Sequence, residues 1–234
     1  MTDPAPHSVW TRPRPEPRRR APGVDQFVTA ALAVADAEGL AAVSMRRVAG
    51  DLGSGTASLY RYITNRDELL DLMVDAAQGE TPLPEPTRDW RTDLAAVAHA
   101  LRATLLRHPW LAGELAGRPS LGPNALRRSE AALRAAAALT PDATLSSQAV
   151  RAVHAYVLGS VATQQADRGA EHRTGLTEDE WRRSLGPYVD EVIAAGDHPL
   201  LARHVLEAED LTPDAEFTFG LDCLLDGLAA RLRR

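Results

Sequence analysis

Apolar side chains recur at intervals of three and four from Val24 through Phe27, Val28, Ala31, Leu32 and Ala35, which predicts a helix from about Val24 to Glu38 that Gly39 ends. Ser44 can cap a second helix reaching about Leu52, and a third segment spans Thr56 to Tyr62. Asn65 followed by Glu68 reads as a capping box opening a fourth helix to about Ala77. The stretch Gly79-Glu-Thr-Pro-Leu-Pro-Glu-Pro86 interrupts the pattern and marks a domain boundary. Beyond it the helical period returns over about Asp89–Arg107, a short piece from Pro109, Asn124–Leu139 and Ser146–Asp167. Residues 169–176 read as a loop. Thr177 and Glu180 form a second capping box for a helix to about Ala195, a short turn of helix covers Leu200–Glu207, and Thr212-Pro213 opens a last helix to Arg231. The fold class expected is all-α: a Pro- and Arg-rich disordered arm over 1–22, a small helical domain over 23–79 and a larger one over 87–234.

Two late helices carry wide apolar stripes: Val150, Val153, Val157 and Val161 (with Gly159 and Ala162 permitting close approach), and Phe217, Leu221, Leu224, Leu225, Leu228 and Leu232. Such stripes face the domain's own core, or they also meet their copies in a second subunit, which would make the helices around 146–167 and 212–231 a homodimer interface. Six prolines in residues 1–22 deny that arm a helix or a core.

Within the small domain, Ser44 to Leu70 has the pattern of two short helices around a tight turn. Ala49 is small enough for two helices to cross closely, Gly53 accepts a positive φ, and Val48, Leu52, Leu59 and Tyr62 can close a core between them. A unit of this kind places its second helix in the major groove of DNA.

Charge at first argues against that reading, because the 234-residue chain carries a formal −6. The charge is uneven, however. Residues 1–70 hold nine arginines against eight acids, leaving the remainder with −7, and the basic groups cluster at Arg18–Arg20, Arg46, Arg47, Arg61 and Arg66. Local field governs docking more than total charge does. Every basic residue is arginine, and aromatics make up only 5%, so the core is built from Ala, Leu and Val, which favours helices. A single cysteine, Cys223, excludes an internal disulfide and, on the last apolar stripe, reads as a buried small hydrophobe. With no apolar run of membrane-spanning length and no secretory signal, the expected location is the cytoplasm.

The run from Leu52-Gly53 through Ser58-Leu59-Tyr60-Arg61-Tyr62-Ile63 to Asn65-Arg66-Asp67-Glu68-Leu69-Leu70 resembles the tetracycline-repressor (TetR) family of bacterial transcription regulators. Gly117-Arg118-Pro119, Leu158-Gly159-Ser160-Val161 with Gln164-Gln165, Phe219-Gly220-Leu221 and Leu225-Asp226-Gly227-Leu228 look like pieces of the tetracycline repressor's ligand-binding domain. The resemblance implies a homodimer that binds a palindromic operator and is released by a small-molecule effector. It assigns DNA contact to Arg46, Thr56, Ala57, Ser58, Tyr60, Arg61, Tyr62 and Arg66: Arg46 on a guanine edge, Thr56 and Arg61 on bases or adjacent phosphates, Tyr60, Tyr62 and Arg66 on phosphates. Arg18–Arg20 are expected to track phosphates or enter the minor groove. One departure is Ser54, where the family carries a Val or Ile that plugs the helix pair.

In the same way, His154 and Tyr156 fall on the helix that walls the family's ligand cavity, and Leu101, Leu105, Trp110 and Glu114, with His99, are candidates for the same lining. The alanine-rich helix, Ala131–Ala138 especially, leaves room for a cavity. The repressor's magnesium-drug ligands fall here on Pro82, Glu114, Gly117 and Thr163, a set that cannot hold the metal in that way, so no cofactor and no metal are expected. No histidine pair at helical spacing, Cys–His cluster or phosphate loop is present, which leaves an enzyme without support. The sequence does not separate repression from activation, nor from a helical sensor of the same fold acting through a protein partner.

Overall fold

The computed structural model describes residues 9–11, 22–117 and 120–232. Most of the arm, with Arg18–Arg20, lies outside them, as do Arg118 and Pro119. Among the described residues there are eleven α-helices, one 3-10 turn and no strand. The helices are α1 (Val24–Glu38), α2 (Met45–Asp51), α3 (Thr56–Tyr60), α4 (Arg66–Glu80), α5 (Trp90–Arg107), α6 (Leu111–Leu115), α7 (Pro123–Leu139), α8 (Ala143–Thr174), α9 (Glu178–Ala195), α10 (Pro199–Glu207) and α11 (Pro213–Leu232), with the 3-10 turn at Leu40–Ala42.

Gly39 ends α1 with φ 84°, as its position suggests, and α1 buries Phe27, Val28, Ala31, Leu32, Val34 and Ala35. Ser44 caps α2 by accepting from the Arg47 amide. Asn65 caps α4 by accepting from the Glu68 amide at 2.8 Å, but the reciprocal bond differs from the expected box: Glu68 accepts from the amide of Thr64, one residue earlier. The Thr177–Glu180 box at the start of α9 forms both of its bonds.

The expected loop at 169–176 is instead the last part of α8, which runs unbroken for 32 residues. Ala170, Glu171 and Arg173 are good helix formers and outweigh the one Gly169 among them. The helix stops at Gly175, which takes φ 69° and donates its amide to Glu171. At its other end α8 starts three residues before Ser146, with Asp142 accepting from the Leu145 amide.

Two compact units divide the chain: one comprises residues 1–161 with 228–234, the other 162–227. In the first, α7 packs on both α4 and α5. The α4–α7 approach depends on two glycines. A Cβ at Gly79 would lie 2.6 Å from the Asn124 side chain, and one at Gly122 would overlap the Asp75 carboxyl, 2.7 Å from its Cβ. Gly122 is the N-cap residue of α7 and has no side chain to cap with. Asp75 of α4, 4% exposed, supplies the cap across the interface: Oδ1 accepts from the amides of Asn124 (2.9 Å) and Ala125 (3.0 Å), and Oδ2 from Asn124 Nδ2.

In the second unit α9 packs on α10, and Arg182 pairs with Asp210. Helix α10 buries none of its residues; Leu200 and Leu206 are 80% and 72% exposed.

Candidate nucleic-acid interface and ligand cavity

Helices α2 and α3 form the expected crossed pair. Gly53, at φ 60°, closes α2 with a Schellman pair of bonds: its own amide donates to Gly50 and the Ser54 amide donates to Ala49 at 2.9 Å. Ser54 takes part through its backbone amide, and its half-buried side chain supplies no apolar plug. Val48, Ala49 and Leu59 are buried to 1% exposure or less, and Leu52 is half-buried.

The outer face of this pair sorts the expected contacts. Arg46 is exposed, and no described residue pairs with it. Thr56 and Ser58 are half-buried; Ala57 and Tyr60 are exposed. The other cations are engaged within the protein. Arg47 pairs with Glu38 at 2.7 Å and Asp51 at 3.0 Å, which raises its pKa further. Arg66 donates through Nε to Val43 O (3.1 Å) and through one terminal nitrogen to Leu40 O (2.8 Å), tying the start of α4 to the 3-10 turn. Arg61 stacks on the Tyr62 ring, 4.6 Å from its centroid, and donates to the Tyr62 hydroxyl. Tyr62 is a correction to the expected phosphate contact: it is 5% exposed, with its ring against Phe27, because the end of α3 turns it into the core that α1 helps to build.

The cavity lies among α4, α5, α7 and α8, with a volume of about 110 Å³. Of the expected lining residues it brings together Leu101 and His154. Leu105, Trp110, Glu114 and Tyr156 are not part of its described lining. Leu105 is wholly buried in packing, and Trp110 is held elsewhere, donating its indole N–H to Asp36 of α1 at 2.8 Å. His99 is exposed. The small residues Ala98, Ala125 and Ala132 leave the space, as an alanine-rich helix should. Burial, with Arg151 nearby, holds the His154 imidazole below its ordinary pKa.

Three polar residues here escaped sequence reasoning. Gln78 of α4 and Arg128 of α7 both line the cavity. Arg128, 8% exposed, donates through Nε to Gln78 O (2.5 Å) and through one terminal nitrogen to Thr81 O (2.8 Å) and Thr104 Oγ1 (3.3 Å). Its other terminal nitrogen is buried without a hydrogen-bond partner, and desolvation lowers the guanidinium pKa. The third, His108, is 2% exposed and bridges Asp36 of α1 (2.8 Å) to Glu80 of α4 (3.1 Å). No local pattern betrays any of them; an arginine on an alanine-rich helix and a histidine after one look like solvent-facing residues.

The apolar stripes of α8 and α11 are partly spent inside the chain: Val153, Val157, Val161, Phe217, Leu221 and Leu225 are buried, whereas Val150, Leu224, Leu228 and Leu232 are half-buried. Cys223 is exposed, contrary to expectation, because the buried row of α11 runs through positions four apart and Cys223 falls between them. Among the described residues no group of three His, Cys, Asp or Glu could hold a metal ion, and no helix is long and apolar enough to cross a membrane.

Comparison with known proteins places both halves. Residues 27–73 match the model of the tetR family of bacterial regulatory proteins, and residues 83–232 match that of the tetracyclin repressor-like C-terminal domain. The HTH-type transcriptional repressor DrrR1 of Streptomyces coeruleorubidus is 42% identical over 209 residues, 88% of this chain and 76% of the relative. The class G tetracycline repressor protein of Vibrio anguillarum is 31% identical over 88% of this chain and 92% of its own. The structure of ActR from Streptomyces coelicolor in complex with actinorhodin superposes with a TM-score of 0.74 at 31% identity, covering 92% of this chain and all of that one. With both domain models matched and repressors among its relatives, the chain belongs to the TetR family of ligand-responsive, DNA-binding transcriptional repressors.

Proposed function

We propose that the chain acts as a homodimer that holds two α2–α3 units against successive major grooves of a palindromic operator and lets go when a small molecule enters the α4–α5–α7–α8 cavity. The observation that carries this is the helix pair itself: Arg46 of α2 stands exposed with no partner among the described residues, and α3 carries Thr56, Ala57, Ser58 and Tyr60, while the neighbouring Arg47 is neutralised by two carboxylates. Arg46 is then the side chain that reads a base edge, and Arg61 and Arg66 shape the surface that meets the backbone. A second copy is needed because one such unit reads too few base pairs to hold an operator. The exposed apolar side chains of Leu200, Leu206 and Phe219 (67% exposed) support a surface that a second copy covers. In the effector's action α4 is the transmitter: it begins at Arg66, beside the helix pair, and its last turn carries Gln78 into the cavity wall. Release by a factor of a hundred requires an effector preference for the released state of about 2.7 kcal/mol.

The test is a gel shift with the DNA upstream of the protein's own gene, comparing wild type with Arg46→Ala and Arg47→Ala. Loss of Arg46 should weaken binding by about 1–3 kcal/mol and relax base preference at one position in each half-site, with the dimer intact by light scattering. Arg47→Ala should cost less. Undiminished retardation by Arg46→Ala removes the proposed readout.

A further inference from the structure

We infer that the effector is an anion, a carboxylate carried on an apolar body of about one ring, and that its charged group pairs with Arg128; this rests on the regulator reading above and gives its effector a chemistry. The argument begins with an imbalance. Arg128 is 8% exposed, yet every acceptor it has found is neutral: the carbonyls of Gln78 and Thr81 and the hydroxyl of Thr104. The nearby buried carboxylate, Asp75, is committed to the start of α7. A buried cation without an anion, and with one terminal nitrogen lacking any acceptor, is a costly arrangement that a fold keeps only for a reason.

The geometry of the guanidinium says where the missing anion belongs. Nε and one terminal nitrogen form one edge of a rigid plane, and that edge is turned to the carbonyls at the end of α4. The other terminal nitrogen is the donor left without an acceptor, and Arg128 lines the cavity together with Leu94, Leu101 and Val153, an apolar wall, and with His154; it also borders a second space beside Thr81, Pro82 and Asn124. Because burial and Arg151 depress the His154 pKa, that ring is neutral at pH 7 and leaves the anion to Arg128. The space is about 110 Å³, smaller than the 150 Å³ apolar cavity known to hold benzene, which limits the enclosed body to no more than about one ring. An anion drawn to Arg128 also competes with the α4 carbonyls for the same guanidinium, which links occupancy to the helix that starts at the DNA-reading pair.

Isothermal titration of the full-length protein with benzoate and with its neutral isostere benzamide tests this. Wild type should bind benzoate about tenfold or more tightly than benzamide. Arg128→Met should abolish that preference, and Arg128→Lys, which keeps the charge, should retain part of it; the lysine variant and the wild-type pair carry the test if the methionine variant does not fold. Equal binding of the two probes, binding of neither up to about 10 mM, or a preference that survives Arg128→Met overturns the proposal. A gel shift run on the same protein separates the two ideas. DNA retarded with no benzoate preference leaves the regulator standing and removes the anion, whereas a benzoate preference without retardation of DNA does the reverse.

Discussion

Asp75 joins the DNA-reading half of the first unit to the cavity helices, and its removal should be costly in a way the structure allows to be sized. In Asp75→Ala the amides of Asn124 and Ala125, the second and third residues of α7, lose the acceptor that Gly122 cannot replace. A lost helix cap is worth about 1 kcal/mol, the carboxylate's interaction with the helix dipole up to about 2 kcal/mol at a buried or partly buried site, and a stranded buried donor about 1–3 kcal/mol. These overlap, and together give about 3 kcal/mol. Asp75→Asn keeps the oxygen that accepts from both amides but loses the charge and the bond that Oδ2 accepts from Asn124 Nδ2, so it should cost about 1 kcal/mol. Urea unfolding followed by far-UV circular dichroism, at one fixed protein concentration because a dimer's stability depends on it, reads the difference. At an m-value of about 3 kcal/mol/M the alanine variant's midpoint should fall by about 1 M and the asparagine variant's by about a third of that. An alanine variant within about 1 kcal/mol of wild type, or an asparagine variant as damaged as alanine, would refute the idea that α4 caps α7.

Three further outcomes follow from the same contacts. Gly122→Ala should destabilise by about 2 kcal/mol, because its Cβ collides with a carboxyl held by three hydrogen bonds, and thermal unfolding checks it against the exposed control Gly113→Ala. His108→Ala should cost about 2 kcal/mol by cutting the link from α1 to α4 and leaving a buried void, and hydrogen exchange should report faster opening of α1 than of α7. His154 has a depressed pKa when folded, so below about pH 6.5 the unfolded chain takes up a proton that the folded one refuses. Stability should therefore decline as the pH falls through that range, and a denaturation series in which His154→Gln declines as steeply as wild type would discount the burial of that ring.

Local chemistry alone was enough to locate the DNA-reading pair. Ser44, Gly53 and Asn65 are a cap, a positive-φ turn and a cap, each acting within a few residues of itself, and the periods of three and four in α1, α5 and α7 follow from which side of a helix faces the core. Residues 169–174 are helix rather than the expected loop for an equally local reason: Gly169 stands among enough helix formers for α8 to continue past it.

What the chain's order of residues could not decide was which polar groups find partners far along it. Asp75 with Asn124, Arg128 with Gln78, and His108 with Asp36 join positions 49, 50 and 72 residues apart, and each side chain alone resembles a solvated one. The outward turn of Cys223 and the withdrawal of Trp110 from the cavity are likewise settled by packing, because a helix presents several faces and only its neighbours determine which of them is shielded from water. Sequence therefore determined the helices and the DNA-reading unit, through short-range hydrogen bonding and periodicity. Tertiary structure alone decided the cavity and its uncompensated arginine, through the desolvation that only assembled helices impose.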